Sequence, residues 1–151
     1  EYNFDLPKIV SPQRSYNNVF GYTEKSWYAS ADVYFISKKL DKINLKFILS
    51  ILNSKTIYFW LYNKGKRKGE MLELYLTPLS EIPIPEIPEP AQQPFITLVN
   101  QILAGKKTGA DTSALEHQID VMVYHLYGLS YAEACVIDSG LSKEDFEKYK
   151  I

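Results

Sequence analysis

Residues 76–90 read LTPLSEIPIPEIPEP, residues 94–107 PFITLVNQILAGKK and residues 111–129 DTSALEHQIDVMVYHLYGL. Their order decides the fold: a proline-punctuated strand end runs into two helical segments. Just before, in MLELYLT (71–77), Leu72, Leu74 and Leu76 alternate with Glu73, Tyr75 and Thr77 at the period of a strand. Pro83, Pro85, Pro88 and Pro90 then exclude a central strand or a helix, because proline lacks the N–H that either ladder needs. An extended linker or an edge strand leaving the domain is predicted there. Pro94 suits a first helical turn, and Phe95, Ile96, Val99, Ile102 and Leu103 fall on one face. After the loop GKKTGAD, Ser113 and Glu116 offer a capping box, and Leu115, Ile119, Met122 and Leu126 recur at steps of four and three. That stripe predicts an antiparallel helical hairpin over residues 94–106 and 113–127, with Gly128 in the terminating left-handed position. Ser130 with Glu133, and then Ser142, cap two further short helices.

The first half reads differently. PKIVS (7–11) and SWYASADVYFIS (26–37) are rich in β-branched and aromatic residues and predict strands, with Val33 and Phe35 opposing Tyr34 and Ile36. SPQRSYNNVFGYTEK (11–25) between them reads as a polar loop, with Asn17, Asn18 and Gly21 as turn formers. Asn44 caps LKFILSILNSKTIYFWLY (45–62), which is too long and apolar for a strand and predicts one buried helix. NKGKRKGE (63–70) follows as a basic loop rich in helix breakers. The fold class is therefore α/β (α+β), with a buried helix and short strands over 1–90 and a helical region over 91–151.

At 151 residues the chain can bury a real core. It opens at Glu1, and its first residues read as the interior of a longer polypeptide. It has no run of eighteen apolar residues and no signal peptide, so a soluble, unexported protein is expected. With Cys135 as the single cysteine, neither an internal disulfide nor a cysteine zinc site can form, and a reducing cytoplasm is the simplest setting. The net charge of -1 hides an asymmetry. Residues 1–79 carry twelve Lys/Arg against seven Asp/Glu, a net +5, and residues 80–151 five against eleven, a net -6. Ten tyrosines and tryptophans also lie at or before Tyr75. Basic charge interleaved with aromatics suits a polyanion, since cations meet phosphates while planar groups and amides meet bases. A small mixed domain with tyrosines in its core and lysines outside fits the same composition.

The ordered run LKFILSILNSKTIYFWLY, a basic glycine-containing loop and MLELYLTPLSEIPIPEI resembles the TaqI-like C-terminal specificity domain of type II restriction–modification enzymes. The continuation QPFITLVNQILAGKK…DTSALEHQIDVMVYHLYGLSYAEACVI is similar to the tail of the same family. There Leu115, Glu116, Ile119, Asp120, Val123, Tyr124, Leu126, Tyr127, Gly128 and Leu129 match the pattern LExxIDxxVYxLYGL. The resemblance implies a prokaryotic, cytoplasmic domain that reads a short double-stranded DNA sequence for an adenine-N6 methyltransferase, often one fused to an endonuclease. It implies that catalysis resides in upstream methyltransferase and nuclease domains of the same polypeptide. S-adenosylmethionine and Mg are expected for those domains and no cofactor for this chain.

The residues themselves carry no catalytic signature. There is no Pro-Pro pair, hence no Asn/Asp-Pro-Pro-aromatic motif, and no Gly-rich cofactor fingerprint. GKKTG (105–109) lacks the upstream glycine of a phosphate-binding loop, and no Asp…Glu-x-Lys nuclease arrangement emerges. His117 and His125, eight apart, read as polar-face residues pointing in different directions rather than zinc ligands. Cys135 reads as a small buried hydrophobe. Glu116 and Asp120 lie four apart on one helix face and read as solvated charge. Lys106 and Lys107 suit the negative end of a helix dipole.

Two regions remain as candidate readers of DNA. Lys64, Lys66, Arg67 and Lys68, flanked by Gly65 and Gly69, concentrate cations on a turn and are predicted to project from the domain toward phosphates. Gln13, Arg14, Tyr16, Asn17, Asn18 and Lys25 include the side chains that pair with base edges, Arg with guanine and Asn or Gln with adenine. DNA reading requires both regions to share one face. Two other classes stay open at this point: a protein-interaction module using the helical hairpin, and an RNA-binding accessory domain.

Overall fold

The computed structural model describes residues 4–30, 32–37 and 43–151. Among these, β1 (Lys8–Pro12) is the centre of an antiparallel sheet flanked by β3 (Gly21–Thr23) and β4 (Val33–Ser37). Ile9 faces Tyr22 on one neighbour and Ile36 on the other, and is fully buried. The strand predicted over 26–37 is confined to its second half. In the first half the aromatics pack locally instead: Trp27 meets Phe35 edge-on at 5.7 Å, and Tyr28 meets Phe4 at 5.3 Å. The predicted polar loop 11–25 holds two strands, β2 (Arg14–Ser15) and β3, and Gly21 lies in β3 rather than in a turn. Strands this short are created by their partners, a signal that local composition does not carry.

Gln13 joins the two sheets. Its N–H donates to the Asp32 carbonyl at 3.0 Å, while its own carbonyl accepts from Leu74 N–H at 2.8 Å. The chain thus leaves the first sheet and enters a second, ordered β2-β6-β5, where β5 is Lys66–Lys68 and β6 is Met71–Glu73. Within the stretch 63–70, predicted as a loop, residues 66–70 are the first arm and turn of this hairpin. Gly69 makes the turn with φ +62, a conformation that costs a residue with a Cβ about 1–2 kcal/mol.

The helix predicted over 45–62 is two helices, α1 (Leu45–Leu52) and α2 (Lys55–Asn63). Asn44 caps α1 as expected, accepting from Lys46 N–H at 2.8 Å. The break falls at Asn53 and Ser54: the Ser54 hydroxyl donates to the Ile51 carbonyl and caps α2 by accepting from Ile57 N–H. The strand predicted over 71–77 ends at Glu73. Leu72 and Leu74 are buried as the alternation requires, but Leu76 is exposed because the chain turns into α3 (Leu76–Ser80). Pro78 sits in the first turn of α3, where no N–H is needed.

Residues 83–88 form neither helix nor strand, which is what their prolines exclude. The next helix, α4 (Glu89–Thr108), starts five residues earlier than Pro94 suggests: Pro90 occupies the first turn and Pro94 lies inside. Gly109, φ +71, ends α4 and turns the chain toward α5 (Ser113–Leu126). The predicted Ser113–Glu116 capping box is replaced by other contacts. Asp111 accepts from Ser113 N–H, and the Thr112 hydroxyl donates to Glu116 at 2.7 Å. Gly128 takes the left-handed conformation after α5. The Ser130–Glu133 box caps α6 (Tyr131–Ile137), and Ser142 caps α7 (Lys143–Lys148).

One apolar core takes Ile9, Phe47, Ile51, Leu61, Leu72 and Leu74 from the first ninety residues, and Phe95, Val99, Ile119 and Val123 from α4 and α5. A second cluster, Val121, Tyr124, Ala134, Leu141 and Phe146, seats α6 and α7 against α5. The α5 stripe is placed as predicted: Ile119 and Met122 are buried, with Leu115 and Leu126 packed at the margin. Placing an unpaired carboxylate in this seam should cost several kcal/mol. Ile119→Asp is therefore expected to lower the thermal midpoint sharply; an unchanged melting curve would contradict this packing.

Candidate nucleic-acid interface

The second sheet brings the two candidate regions together. Across its three strands Arg14 aligns with Glu73 and Glu73 with Lys66, while Ser15 aligns with Leu72 and Leu72 with Arg67. Side chains alternate between the faces of a strand, so Lys66 and Lys68 share the face of Arg14 and Glu73. Glu73 is nearly buried between the two cations. Its carboxylate lies 3.5 Å from Arg14 Nε and 3.8 Å from Lys66 Nζ. The Arg14 guanidinium also lies 5.6 Å from the centre of the Tyr75 ring, which packs on Tyr34 at 6.2 Å.

The four cations of 64–68 are all exposed, as a projecting turn requires, and two of them also touch the domain. Lys66 pairs with Glu73, and Arg67 stacks on the Tyr62 ring of α2 at 4.0 Å. Lys64 and Lys68 are exposed. Tyr16 and Asn17 are exposed immediately after β2. Asn18 is turned into the fold: its amide donates to the carbonyls of Leu52 at 2.7 Å and Ser54 at 2.9 Å. Lys25 is exposed beyond β3, in the first sheet, and its carbonyl accepts from the buried Lys8 ammonium at 3.1 Å. Gln13 contributes the backbone bridge described above, with a half-buried side chain.

Sequence reasoning missed Glu73, Tyr75 and Tyr62 as members of this surface. The alternation in MLELYLT put Glu73 and Tyr75 on one face, which was a usable signal. Their cation partners needed the strand register.

Comparison with known proteins meets this geometry. The family model described as the TaqI-like C-terminal specificity domain matches residues 1–84. The chain belongs to this family. Type II methyltransferase M.HincII of Haemophilus influenzae is 33% identical over 69 residues, covering 45% of this chain and 14% of that protein. Type II methyltransferase M.HindII, also of Haemophilus influenzae, is 33% identical over 69 residues, covering 45% and 13%. The matched part is thus a small fraction of each relative's length. All three strands of the basic sheet lie within the stretch matched by the specificity-domain model. The match ends before α4, short of the segments whose likeness to the family's tail is read from their sequence.

Beyond the matched stretch, α5 carries polar groups that the specificity domain uses. Asp120 was expected to be solvated; it is buried, and accepts from Lys55 N–H at 2.8 Å at the start of α2. Asp138 pairs with the Lys55 ammonium at 2.6 Å. Glu116 pairs across the hairpin with Lys106 at 2.7 Å, which holds its carboxyl below the usual range although partial burial opposes this. Glu116 and Asp120 also line a cavity of about 450 Å³ with Leu49, Val99, Ile102 and Leu103. The two histidines do not diverge. His117 lies 3.6 Å from Asp145, and His125 Nε2 donates to the Phe146 carbonyl at 2.6 Å, so both address α7. Cys135 is half-buried rather than buried. No helix of the described residues is long and apolar enough to cross a membrane.

Burial pushes the Asp120 carboxyl up to about 6, against the opposing hydrogen bond and charge of Lys55. A carboxyl raised on folding favours the folded state in acid, and that contribution is lost as pH rises from the unfolded value near 4 through about 6. Asp120→Asn keeps an acceptor for Lys55 N–H without the ionisation. Its stability relative to the parent should therefore improve between pH 4 and 7 by on the order of 2–3 kcal/mol. Parallel urea titrations across that range check this; a constant difference would contradict it.

Proposed function

We propose that this chain is the part of a restriction–modification methyltransferase that reads a short double-stranded DNA sequence, and that it is non-catalytic by itself. The observation that carries the proposal is the β2-β6-β5 sheet. Arg14 and the cations of 66–68, separated by some fifty residues of sequence, stand on the two outer strands of one three-stranded sheet, on either side of β6, in a domain from a specificity family. Lys64, Lys66, Arg67 and Lys68 supply phosphate contacts, and ion pairing with Glu73 is a weak competitor for a polyanion. Arg14 is the leading base reader, with Gln13, Tyr16, Asn17 and Lys25 as further candidates. Asn18 supports the loop through its two backbone contacts. Residues 1–90 carry recognition, and residues 91–151 form a helical spacer that supports it.

The partner domains in this reading are a prokaryotic, cytoplasmic adenine-N6 methyltransferase and, in enzymes that also cleave, a nuclease. S-adenosylmethionine and Mg belong to those domains. The hairpin stripe is buried in the core, which argues against that stripe as a protein-docking face.

Replacing Lys66, Arg67 and Lys68 together with Ala should weaken binding to all duplexes alike. It should also flatten the dependence of log affinity on log salt by up to roughly 0.9 for each phosphate that is no longer neutralised. Arg14→Ala should instead relax preference at one base position, at about 1–3 kcal/mol. Titrations of labelled duplex at several salt concentrations separate the two; equal affinity and an equal slope for the triple variant would remove the hairpin from the interface. The purified chain should transfer no methyl group from S-adenosylmethionine to DNA, and methyl incorporation would overturn the non-catalytic reading.

A further inference from the structure

Glu73 is an uneconomical residue for its position. It lies on the central strand of its sheet, and its side chain is only 9% exposed. A buried carboxylate costs several kcal/mol to desolvate, and an apolar side chain at such a site often stabilises a fold as well as an ion pair does. What the carboxylate adds is direction. Arg14 lies near the carboxylate through Nε, at 3.5 Å, and the two terminal nitrogens of a guanidinium are the donor fork that can address a base edge. Tyr75, backed by Tyr34, lies beside the guanidinium and limits its tilt. Lys66 reaches the other carboxylate oxygen from the far strand and remains 70% exposed.

We propose that Glu73 is a positioning residue for base reading. It holds the Arg14 guanidinium in the orientation that presents a paired donor fork to the O6 and N7 acceptors of a guanine in the major groove. The inference rests on the DNA-reading function proposed above. Guanine is the base whose major-groove edge offers two acceptors at the spacing of that fork. An arginine oriented before contact loses less side-chain freedom on binding, so its discrimination is greater than that of a free surface arginine. Lys66 exchanges Glu73 for a phosphate when DNA arrives, which leaves the carboxylate wholly to Arg14.

The test selects bound duplexes from a pool with a randomised central stretch, using the parent chain, Arg14→Ala, Glu73→Gln and the double variant. Melting curves establish that each is folded. The parent should enrich guanine at one position, and Arg14→Ala should flatten that position. Glu73→Gln should flatten the same position by roughly tenfold, leaving the other positions and the salt slope unchanged. The double variant should be no flatter there than Arg14→Ala alone. Tyr75→Leu should flatten the same position too, which keeps the test decisive if Glu73→Gln does not fold. If Glu73→Gln matches the parent at that position, or weakens all sequences equally, Glu73 is structural and the positioning role is overturned while DNA reading stands. A flattened position that is not guanine overturns it as well. If the parent enriches no sequence, DNA reading itself falls.

Discussion

The break between α1 and α2 is the constraint on which the rest of the molecule hangs. Ending one helix and starting another two residues later strands backbone groups in the interior, and each one left unpaired costs about 1–3 kcal/mol. Two distant segments satisfy them, and the Asn53 side chain ties one of these back to the break. The Asn18 amide takes the carbonyls of Leu52 and Ser54, Asn53 pairs with both the N–H and the carbonyl of Phe20, and Asp120 accepts the Lys55 N–H. The strand region, the helical pair and the hairpin of α4 and α5 therefore meet at one peptide junction. The direction of α2 follows from it, and α2 leads straight into the β5–β6 hairpin that carries the cations.

The features whose signals are local were legible. Asn44, Ser130 with Glu133, Ser142 and Gly128 act on backbone groups a few residues away, and the Ile119–Met122 stripe reports a helical period. The absence of helix and strand over 83–88 was legible for the same reason. The errors fall where a distant partner decides. Nothing in 45–62 announces that Asn53 and Ser54 break the helix, since polar residues within an apolar run are common; the break is viable only because Asn18 and Asp120 arrive to complete it. Arg14–Ser15 and Lys66–Lys68 become strands only because β6 lies between them. Asp120 looked solvated because its spacing from Glu116 matches a polar helix face, yet the start of α2 covers it.

At the candidate interface, residue types were legible and roles were not. The basic run and Arg14 stand out by composition, but composition cannot place them on the two outer strands of one sheet or reveal the carboxylate between them. The family match ends at residue 84, whereas the core beneath the matched stretch does not: Phe95 meets Phe47 edge-on at 5.4 Å, and Ile119 and Val123 complete the same cluster. The helices following the matched stretch are thus part of the core on which that stretch rests.

The position of β5 has one more consequence. Among the described strands it pairs only with β6, so its other side offers open backbone donors and acceptors to any strand that approaches. Such an edge is a template for self-association unless something repels the newcomer. Along β5 that something is Lys66, Arg67 and Lys68: a second molecule presenting the same edge would bring like charge against like charge at the separation of paired strands. The cations proposed to meet phosphate thus also set like charge along the open edge.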